Sequence, residues 1–267
     1  GNEVTGYVTT SDRSYDLVAD TLSFSETPAE VSAVVRLDAA TRYQSIDGFG
    51  AAITGATGYN LSLMPEEVRK QFLQDTFSPS KYGFSYVRVP IGCSDFSLSD
   101  YTCCDTKGIE NFALTLEDTK YLIPTLKEIL AINPDLKILA SPWTCPKWMK
   151  VKDLESKEPY DSWTGGQLNP DYYQDYATYF VKWLDAFKQA GVEVDAITVQ
   201  NEPLNRGNSA SLFMGWEEQR DFVKTALGPA LRKNFPQVKI YAFDHNYNYD
   251  NMPDQQDYPL KIYADAE

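Results

Sequence analysis

The chain has very little of the two side chains on which most metal sites and many nucleophilic sites depend. It contains one histidine, His245, and four cysteines that form no C-x-x-C pair. A zinc site of two or three histidines is therefore excluded, and a serine–histidine–aspartate triad would have to use His245. We expect no metal and no cofactor, so that any hydrolytic chemistry falls to carboxylates.

The four cysteines are Cys93, Cys103, Cys104 and Cys145, and they leave two interpretations open. All four can be buried or half-buried thiols, or one structural disulfide can form. Neighbouring Cys103 and Cys104 can hardly bridge each other without strain, whereas either could reach Cys93.

The chain also lacks a long apolar run and an excess of basic residues. No run approaches the roughly 20 residues that cross a bilayer, and the amino terminus has no basic and apolar signal pattern. The formal net charge of -14 at pH 7 repels phosphate backbones. We expect no membrane span and no nucleic-acid partner, in a protein that is either cytosolic or has lost a leader before the first residue.

Glycine patterns that bind nucleotides are absent too, since there is no G-x-G-x-x-G after a strand and no G-x-x-x-x-G-K. Strand-like runs that are apolar on both faces alternate with helical runs, which indicates a parallel α/β sheet covered by helices. The five runs are SIDGFGAAI, FSYVRVPIG, LKILASPW, VDAITVQ and VKIYAFDHN. Polar and aromatic residues at their carboxyl ends favour a (β/α)8 TIM barrel over an open sheet.

Five strands are fewer than the eight of a barrel, so we predict that residues 41–267 form the front part of one. Residues 1–40 alternate polar and apolar, as in VSAVVRLDA, and are predicted as a β segment of an accessory β-domain. A helix is predicted to follow Ser62 as its N-cap, with Pro65 in the first turn.

One of these strands ends in an unusual way, with Asn201, Glu202 and Pro203 directly after the apolar run AITVQ. A glutamate after a strand is usually a solvated loop residue. Here it lies at the predicted catalytic edge, beside an amide that can hold a sugar hydroxyl. Glycoside hydrolysis needs one carboxyl that donates a proton to the leaving oxygen and a second that attacks or activates water. Glu202 is therefore the first candidate catalytic residue.

Two other side chains, one at the end of a strand and one inside a strand, allow both a structural and a functional interpretation. Trp143, in SPWTCPKW, can be a core residue or an aromatic surface for a sugar, which Trp148 and Trp163 would extend. Arg88 lies inside the apolar strand YVRVP and must pair with a carboxylate, either structurally or at a catalytic site.

Seven motifs follow one another from about Gln44 to His245, namely QSIDGFGAAIT, YVRVPIGCSDFSLSDYTCCD, LEDTKYLIP, LASPWTCPKWMK, YFVKWLDAF, ITVQNEP and EQRDFVKTALGPAL. In these motifs and their order the sequence resembles glycoside hydrolase family 30. Within that family it most resembles the branch of glucosylceramidases and fungal or bacterial β-1,6-glucanases. The resemblance implies a (β/α)8 barrel with a side β-domain and a retaining β-glycosidase that acts on β-glucosidic or β-glucan-like saccharides without metal or nucleotide.

The resemblance also implies roles for single residues. Glu202 stands where the family has its general acid/base, and Asn201 where it has the partner of the sugar 2-hydroxyl. Trp143 falls on the tryptophan that lines the sugar pocket. Arg88 falls on the arginine that supports the nucleophile.

Asp95 and His245 complete the predicted substrate-binding residues, and two departures from the family pattern stand beside them. Glucosylceramidases have Thr-Asp where this chain has Thr54-Gly55, so a ceramide-linked glucose is a less expected substrate. The nucleophilic glutamate of the family is expected beyond Glu267, at the end of a later strand.

Two rival hypotheses remain. The protein could be a non-catalytic carbohydrate-binding protein on a barrel scaffold, or an inverting hydrolase that uses Asp244 as its base. Since family members of this kind act outside the cytoplasm, the resemblance favours a secreted, periplasmic or cell-surface protein.

Overall fold

The computed structural model describes residues 3–27, 30 and 33–266, which fall into two units, Gly1–Ile46 and Asp47–Glu267. In the first unit, β1 (Glu3–Val8) pairs antiparallel with β2 (Val18–Ser23). Residues 33–40 form no strand, so the strand predicted for VSAVVRLDA is wrong over its described part. Val31 and Ser32 lie outside the described residues. The accessory β-domain over residues 1–40 stays a prediction.

The second unit combines helices with a parallel sheet. Its helices are α1 (Gly55–Leu63), α2 (Glu66–Phe77), α3 (Ile123–Ile132), α4 (Tyr173–Gln189), α5 (Trp216–Phe222), α6 (Gly228–Asn234) and α7 (Tyr258–Tyr263). Its strands are β3 (Tyr86–Ile91), β4 (Lys137–Pro142), β5 (Lys150–Val151), β6 (Gln167–Leu168), β7 (Ala196–Thr198) and β8 (Lys239–Tyr241).

Four of these strands form the parallel sheet, in the order β3-β4-β7-β8, while β5 and β6 form a separate antiparallel pair. The predicted α/β class with a parallel sheet and helices is confirmed. The first predicted strand, SIDGFGAAI, is reduced to a parallel bridge between Ala52 and Arg88. Here the backbone approaches β3 so closely that a Cβ atom on Gly50 would overlap the carbonyl oxygen of Tyr86.

Apolar side chains from the helices cover this sheet. Leu126 and Ile129 of α3 and Phe180 and Trp183 of α4 are fully buried in the main core. Each such side chain stabilises the fold by roughly 1.5–3 kcal/mol relative to an exposed position. The core therefore fixes the strands whose carboxyl ends carry the candidate site.

The predicted N-cap at Ser62 is wrong. Ser62 lies inside α1, and its hydroxyl donates to the carbonyl oxygen of Tyr59 at 2.6 Å. Thr54 caps α1 instead, and α2 begins after Pro65. Because a residue before proline avoids the helical region, Met64 is extended and separates the two helices.

Two helical runs that read as continuous in the sequence contain π-helical turns, Asp118–Leu122 and Val223–Leu227. Pro124 and Pro229 follow directly in the first turns of α3 and α6. Because proline has no backbone N–H, the regular i to i−4 ladder cannot continue there, and the wider turn absorbs the mismatch.

A buried glutamate marks the start of α5. Its carboxylate, Glu218 Oε2, accepts hydrogen bonds from the backbone N–H of Gly215 at 2.8 Å and from Nε2 of Gln167 at 3.0 Å. Burial raises the pKa of Glu218 to about 7. Since a glutamate in an unfolded chain titrates near 4.3, the folded state binds the additional proton between these values.

We predict a loss of stability with rising pH that depends on this side chain. The contribution of Glu218 to the free energy of unfolding is fully present below about pH 4.3 and is lost as the pH rises through about 7. Glu218→Gln keeps an acceptor oxygen and removes the charge. The free energy of unfolding of the variant relative to wild type should therefore rise by up to roughly 3 kcal/mol between pH 4 and pH 8, measured by urea denaturation.

The matched control is Glu217→Gln, which changes the exposed neighbouring glutamate. If Glu218→Gln shows the same pH dependence as this control, the buried carboxyl does not set the pH dependence.

Candidate active site

The carboxyl ends of the strands meet at one edge of the sheet, and backbone hydrogen bonds carry the pairing past the strand ends. Asn201 forms a parallel bridge with Asp244, and its N–H donates to the carbonyl oxygen of Pro142 at 2.8 Å. The N–H of Glu202 donates to the carbonyl oxygen of Asp244 at 2.9 Å. The predicted residues after these strands are thereby brought together.

Arg88 of β3 contacts side chains that follow each of the other three strands of the sheet. Its Nη2 donates to Oδ1 of Asn201 at 2.8 Å and to Oδ2 of Asp244. Its guanidinium carbon lies 4.7 Å from the ring centroid of Trp143, within cation–π distance. Ser141 Oγ donates to the same Asp244 oxygen at 3.2 Å. Asp244 is thus the carboxylate that an arginine inside an apolar strand required, and support of a nucleophile by Arg88 stays a prediction.

Glu202 is held from both its backbone and its side chain. Its φ of 42° lies in the left-handed region, which costs a residue other than glycine about 1–3 kcal/mol. Its Oε2 accepts from Nδ2 of Asn205 at 2.7 Å and from Nδ2 of Asn208 at 2.8 Å. Neither asparagine is predicted from the sequence, although their spacing of three and six residues after Glu202 is a visible pattern. Two amide donors therefore fix the direction of one carboxylate oxygen.

An open cleft of about 400 Å³ lies at this edge. Its lining consists of polar and charged residues, namely Arg88, Asn201, Glu202, Asp244, His245 and Asn246. Hydroxyl groups of a saccharide are the natural complement of such a lining, because each wall residue can accept or donate a hydrogen bond.

Trp143 is more deeply buried than a sugar platform requires. The residue is 7% exposed and packs with Cys93, Tyr101 and Ala210. Trp148 packs against the main core and donates from Nε1 to the carbonyl oxygen of Cys104 at 2.8 Å. A sugar contact of Trp143 stays a prediction, whereas Trp148 is placed as a core residue.

His245 and Asp95 differ in their surroundings. The His245 side chain is 2% exposed, its Nδ1 accepts from the N–H of Leu204 at 3.4 Å, and its Nε2 lies 3.3 Å from Oδ2 of Asp250. Both ring nitrogens thus face protein groups and join two loops beside the cleft. Asp95 is exposed and does not line the cleft. Direct substrate binding by either residue stays a prediction.

All four cysteines are buried free thiols, which decides between the two interpretations left open by their spacing. Burial raises the pKa of Cys93 and of Cys145 to about 12 and keeps both protonated.

Within residues 3–27, 30 and 33–266, no three His, Cys, Asp or Glu side chains are grouped so as to hold a metal ion. No helix of the same described ranges has the length and hydropathy that crossing a membrane requires.

Local packing around position 55 leaves no room for a side chain larger than that of glycine. A Cβ atom on Gly55 would overlap the carboxyl group of Glu117, which is itself buried. Glu117 Oε2 accepts from the N–H of Leu98 at 3.1 Å, and burial raises the pKa of this carboxyl. An aspartate side chain at position 55 therefore cannot fit unless Glu117 moves.

A known family model matches most of the chain. The model of the glycosyl hydrolase family 30 TIM-barrel domain matches residues 46–263. A solved structure described as an endo-β1,6-glucanase superposes with a TM-score of 0.90 at 63% sequence identity, covering 99% of this chain and 57% of that one.

Two curated relatives carry different names. Lysosomal acid glucosylceramidase of Mus musculus is 35% identical over 216 residues, which is 76% of this chain and 40% of that protein. Endo-1,6-beta-D-glucanase of Neurospora crassa is 33% identical over 232 residues, 84% of this chain and 46% of that protein. This chain thus spans less than half of the length of either relative.

The cluster around Arg88 predicts a strong energetic coupling between two distant parts of the chain. Arg88→Met and Asp244→Asn, made singly and together, should give a coupling energy of about 1–2 kcal/mol in urea denaturation. The two side chains are 26% and 27% exposed, so solvent screens their attraction only in part.

The matched control is the ion pair of Lys152 and Glu158, which is 63% and 67% exposed with atoms 3.8 Å apart. Its coupling energy should stay below about 0.5 kcal/mol. Equal coupling energies in the two pairs would contradict a strong interaction between Arg88 and Asp244.

Proposed function

The chain belongs to glycosyl hydrolase family 30. On this premise we propose that the protein is a retaining β-glycosidase that cleaves internal linkages of β-1,6-linked glucan. The observation that carries the choice of substrate is the 63% identity to a solved endo-β1,6-glucanase over 99% of this chain. The open, polar cleft beside Glu202 agrees with it, because an endo-acting enzyme must admit an internal unit of a polymer.

In the proposed reaction Glu202 is the general acid/base. In the first step it donates its proton to the glycosidic oxygen while a second carboxylate attacks the anomeric carbon, and in the second step it takes a proton from the attacking water. Asn205 and Asn208 aim its carboxylate, and Asn201 binds the hydroxyl next to the anomeric carbon. We propose that the nucleophile is a glutamate beyond residue 267, supported by Arg88.

The proposal includes the architecture and the location of the whole protein. The parallel sheet would belong to a complete (β/α)8 barrel, with residues 1–40 in a side β-domain. Because a glucan polymer does not enter a cell, the enzyme would act outside the cytoplasm, as a secreted, periplasmic or cell-surface protein.

Specific observations weaken the rival readings. Asp244 Oδ2 already accepts from Arg88 and Ser141, which makes it a poor base for an inverting reaction. Gly55 with Glu117 against it replaces the Thr-Asp pattern of glucosylceramidases and disfavours a ceramide-linked glucose. A non-catalytic carbohydrate-binding protein would bind β-1,6-glucan and release no product, which the following test detects.

We predict that the full-length protein releases a ladder of oligosaccharides from β-1,6-glucan, and that Glu202→Gln lowers kcat/KM on this substrate by about 10²–10⁴-fold. The amide cannot donate the proton that the poor leaving group needs. On an aryl β-gentiobioside with an activated leaving group the same variant should keep most of its kcat/KM, because that leaving group departs without protonation.

Glu193→Gln is the matched control, since this exposed glutamate lies at the opposite, amino-terminal end of β7. It should leave both rates unchanged. Binding of the glucan without any product, or an unchanged rate of Glu202→Gln on β-1,6-glucan, would overturn the proposed function.

A further inference from the structure

A lysine is fully buried beside the loops that approach Glu202. Lys150 of β5 is 2% exposed, although lysine is almost never buried unless its charge is satisfied. In the described part of the chain no carboxylate pairs with its ammonium group. Its partners are four backbone carbonyl oxygens, of Ser162, Trp163, Gly165 and Ser211, at distances of 2.8–3.2 Å.

These four carbonyls belong to two loops that are far apart in the sequence. Three come from the segment 162–165, and the fourth comes from the segment that follows Glu202. An ammonium group has only three protons, so at least one of them is shared between two carbonyls. Burying such a charge costs several kcal/mol, which only a complete set of hydrogen bonds can offset. Lys150 therefore fixes the two loops against each other.

Ser211 connects the lysine site to the segment that follows Glu202. Its N–H donates to the carbonyl oxygen of Trp163 at 2.9 Å, and its Oγ accepts from the N–H of Gly165 at 2.8 Å. The same Oγ donates to the carbonyl oxygen of Asn208 at 3.3 Å. Ser211 thus links Lys150 to the backbone of Asn208 through hydrogen bonds.

Asn208 is the last step of this chain of contacts, because its Nδ2 donates to Glu202 Oε2 at 2.8 Å. The second donor, Asn205, is fixed locally, since its own N–H donates to the carbonyl oxygen of Glu202 at 2.9 Å. Only one of the two amides that aim the carboxylate thus depends on the remote lysine.

We infer that Lys150 is a positioning residue for the glycosidase reaction, which orders the loop of Asn208 and thereby aims the carboxylate of Glu202 at the leaving oxygen. This inference rests on the proposed function, in which Glu202 is the general acid.

The test compares two substrates in the full-length protein. The variant Lys150→Met keeps most of the length of the side chain and removes the ammonium group. Because kcat/KM reports the first step, a misaimed acid should lower it at least tenfold more on β-1,6-gluco-oligosaccharides than on an activated aryl β-gentiobioside. The difference should not exceed the roughly 10²–10⁴-fold that general acid catalysis contributes in all. A merely structural role lowers the fraction of active protein and affects both substrates equally.

Lys152→Met is the matched control, since this lysine is exposed and lies two residues away on the same segment. It should leave both rates unchanged. In the background of Asn208→Ala, Lys150→Met should add no further selective loss, because the connection to Glu202 is already cut. Equal losses on the two substrates, no loss, or additive selective losses would overturn the inference.

A second variant keeps the test decisive if Lys150→Met does not fold. Ser211→Ala leaves the backbone carbonyl that Lys150 binds and removes only the hydroxyl between Gly165 and Asn208. It should lower kcat/KM about three- to tenfold more on the oligosaccharides than on the aryl substrate, because the hydrogen bond that holds the Asn208 carbonyl is lost together with the one from Gly165. An equal effect on both contradicts the inference. A Glu202→Gln variant without leaving-group selectivity instead contradicts the proposed function itself.

Discussion

The contact between Arg88 and Asp244 is the constraint on which the candidate site depends. Arg88 lies on β3 and Asp244 follows β8, and these are the two edge strands of the four-stranded sheet. Three strand spacings would separate them by about 14 Å in a flat sheet. Their side chains nevertheless meet, so this ion pair links the two edge strands of the sheet. The same guanidinium binds Asn201, which directly precedes Glu202.

Around this pair the structure holds Glu202 in two independent ways. The backbone at Glu202 turns into the left-handed region, and Glu202 lines the cleft. The asparagine side chains then fix the carboxylate, one by local hydrogen bonds and one through the loops that Lys150 gathers. A proton donor must point at one oxygen of a bound substrate, and a carboxylate that is free to rotate would do so only part of the time. The strain at Glu202 is therefore compensated by the contacts that surround it.

The sequence predicts the parts of this site that follow from local pattern. Apolar strand runs predict the parallel sheet, and Asn201-Glu202 after such a run predicts the polar edge. The sequence also shows that Arg88 needs a carboxylate partner. It does not show which one, because Asp244 lies 156 residues later in the chain and only the folded sheet brings the two together. Lys150 shows the limit most clearly, since a lysine that binds backbone carbonyls has no partner type that a sequence could reveal. The helix boundary at Ser62 was not predictable from its cap residue alone, because Pro65 divides the run into two helices.

The stereochemistry of the first product tests the central claim most directly. Proton NMR of the full-length protein acting on a β-1,6-gluco-oligosaccharide distinguishes the two anomers of the newly formed reducing end before they equilibrate. Retention through a covalent intermediate, with Glu202 as acid and then base, predicts that the β-anomer appears first. An α-anomer as the first product would contradict this account, because a single displacement by water would then need a different base opposite Glu202.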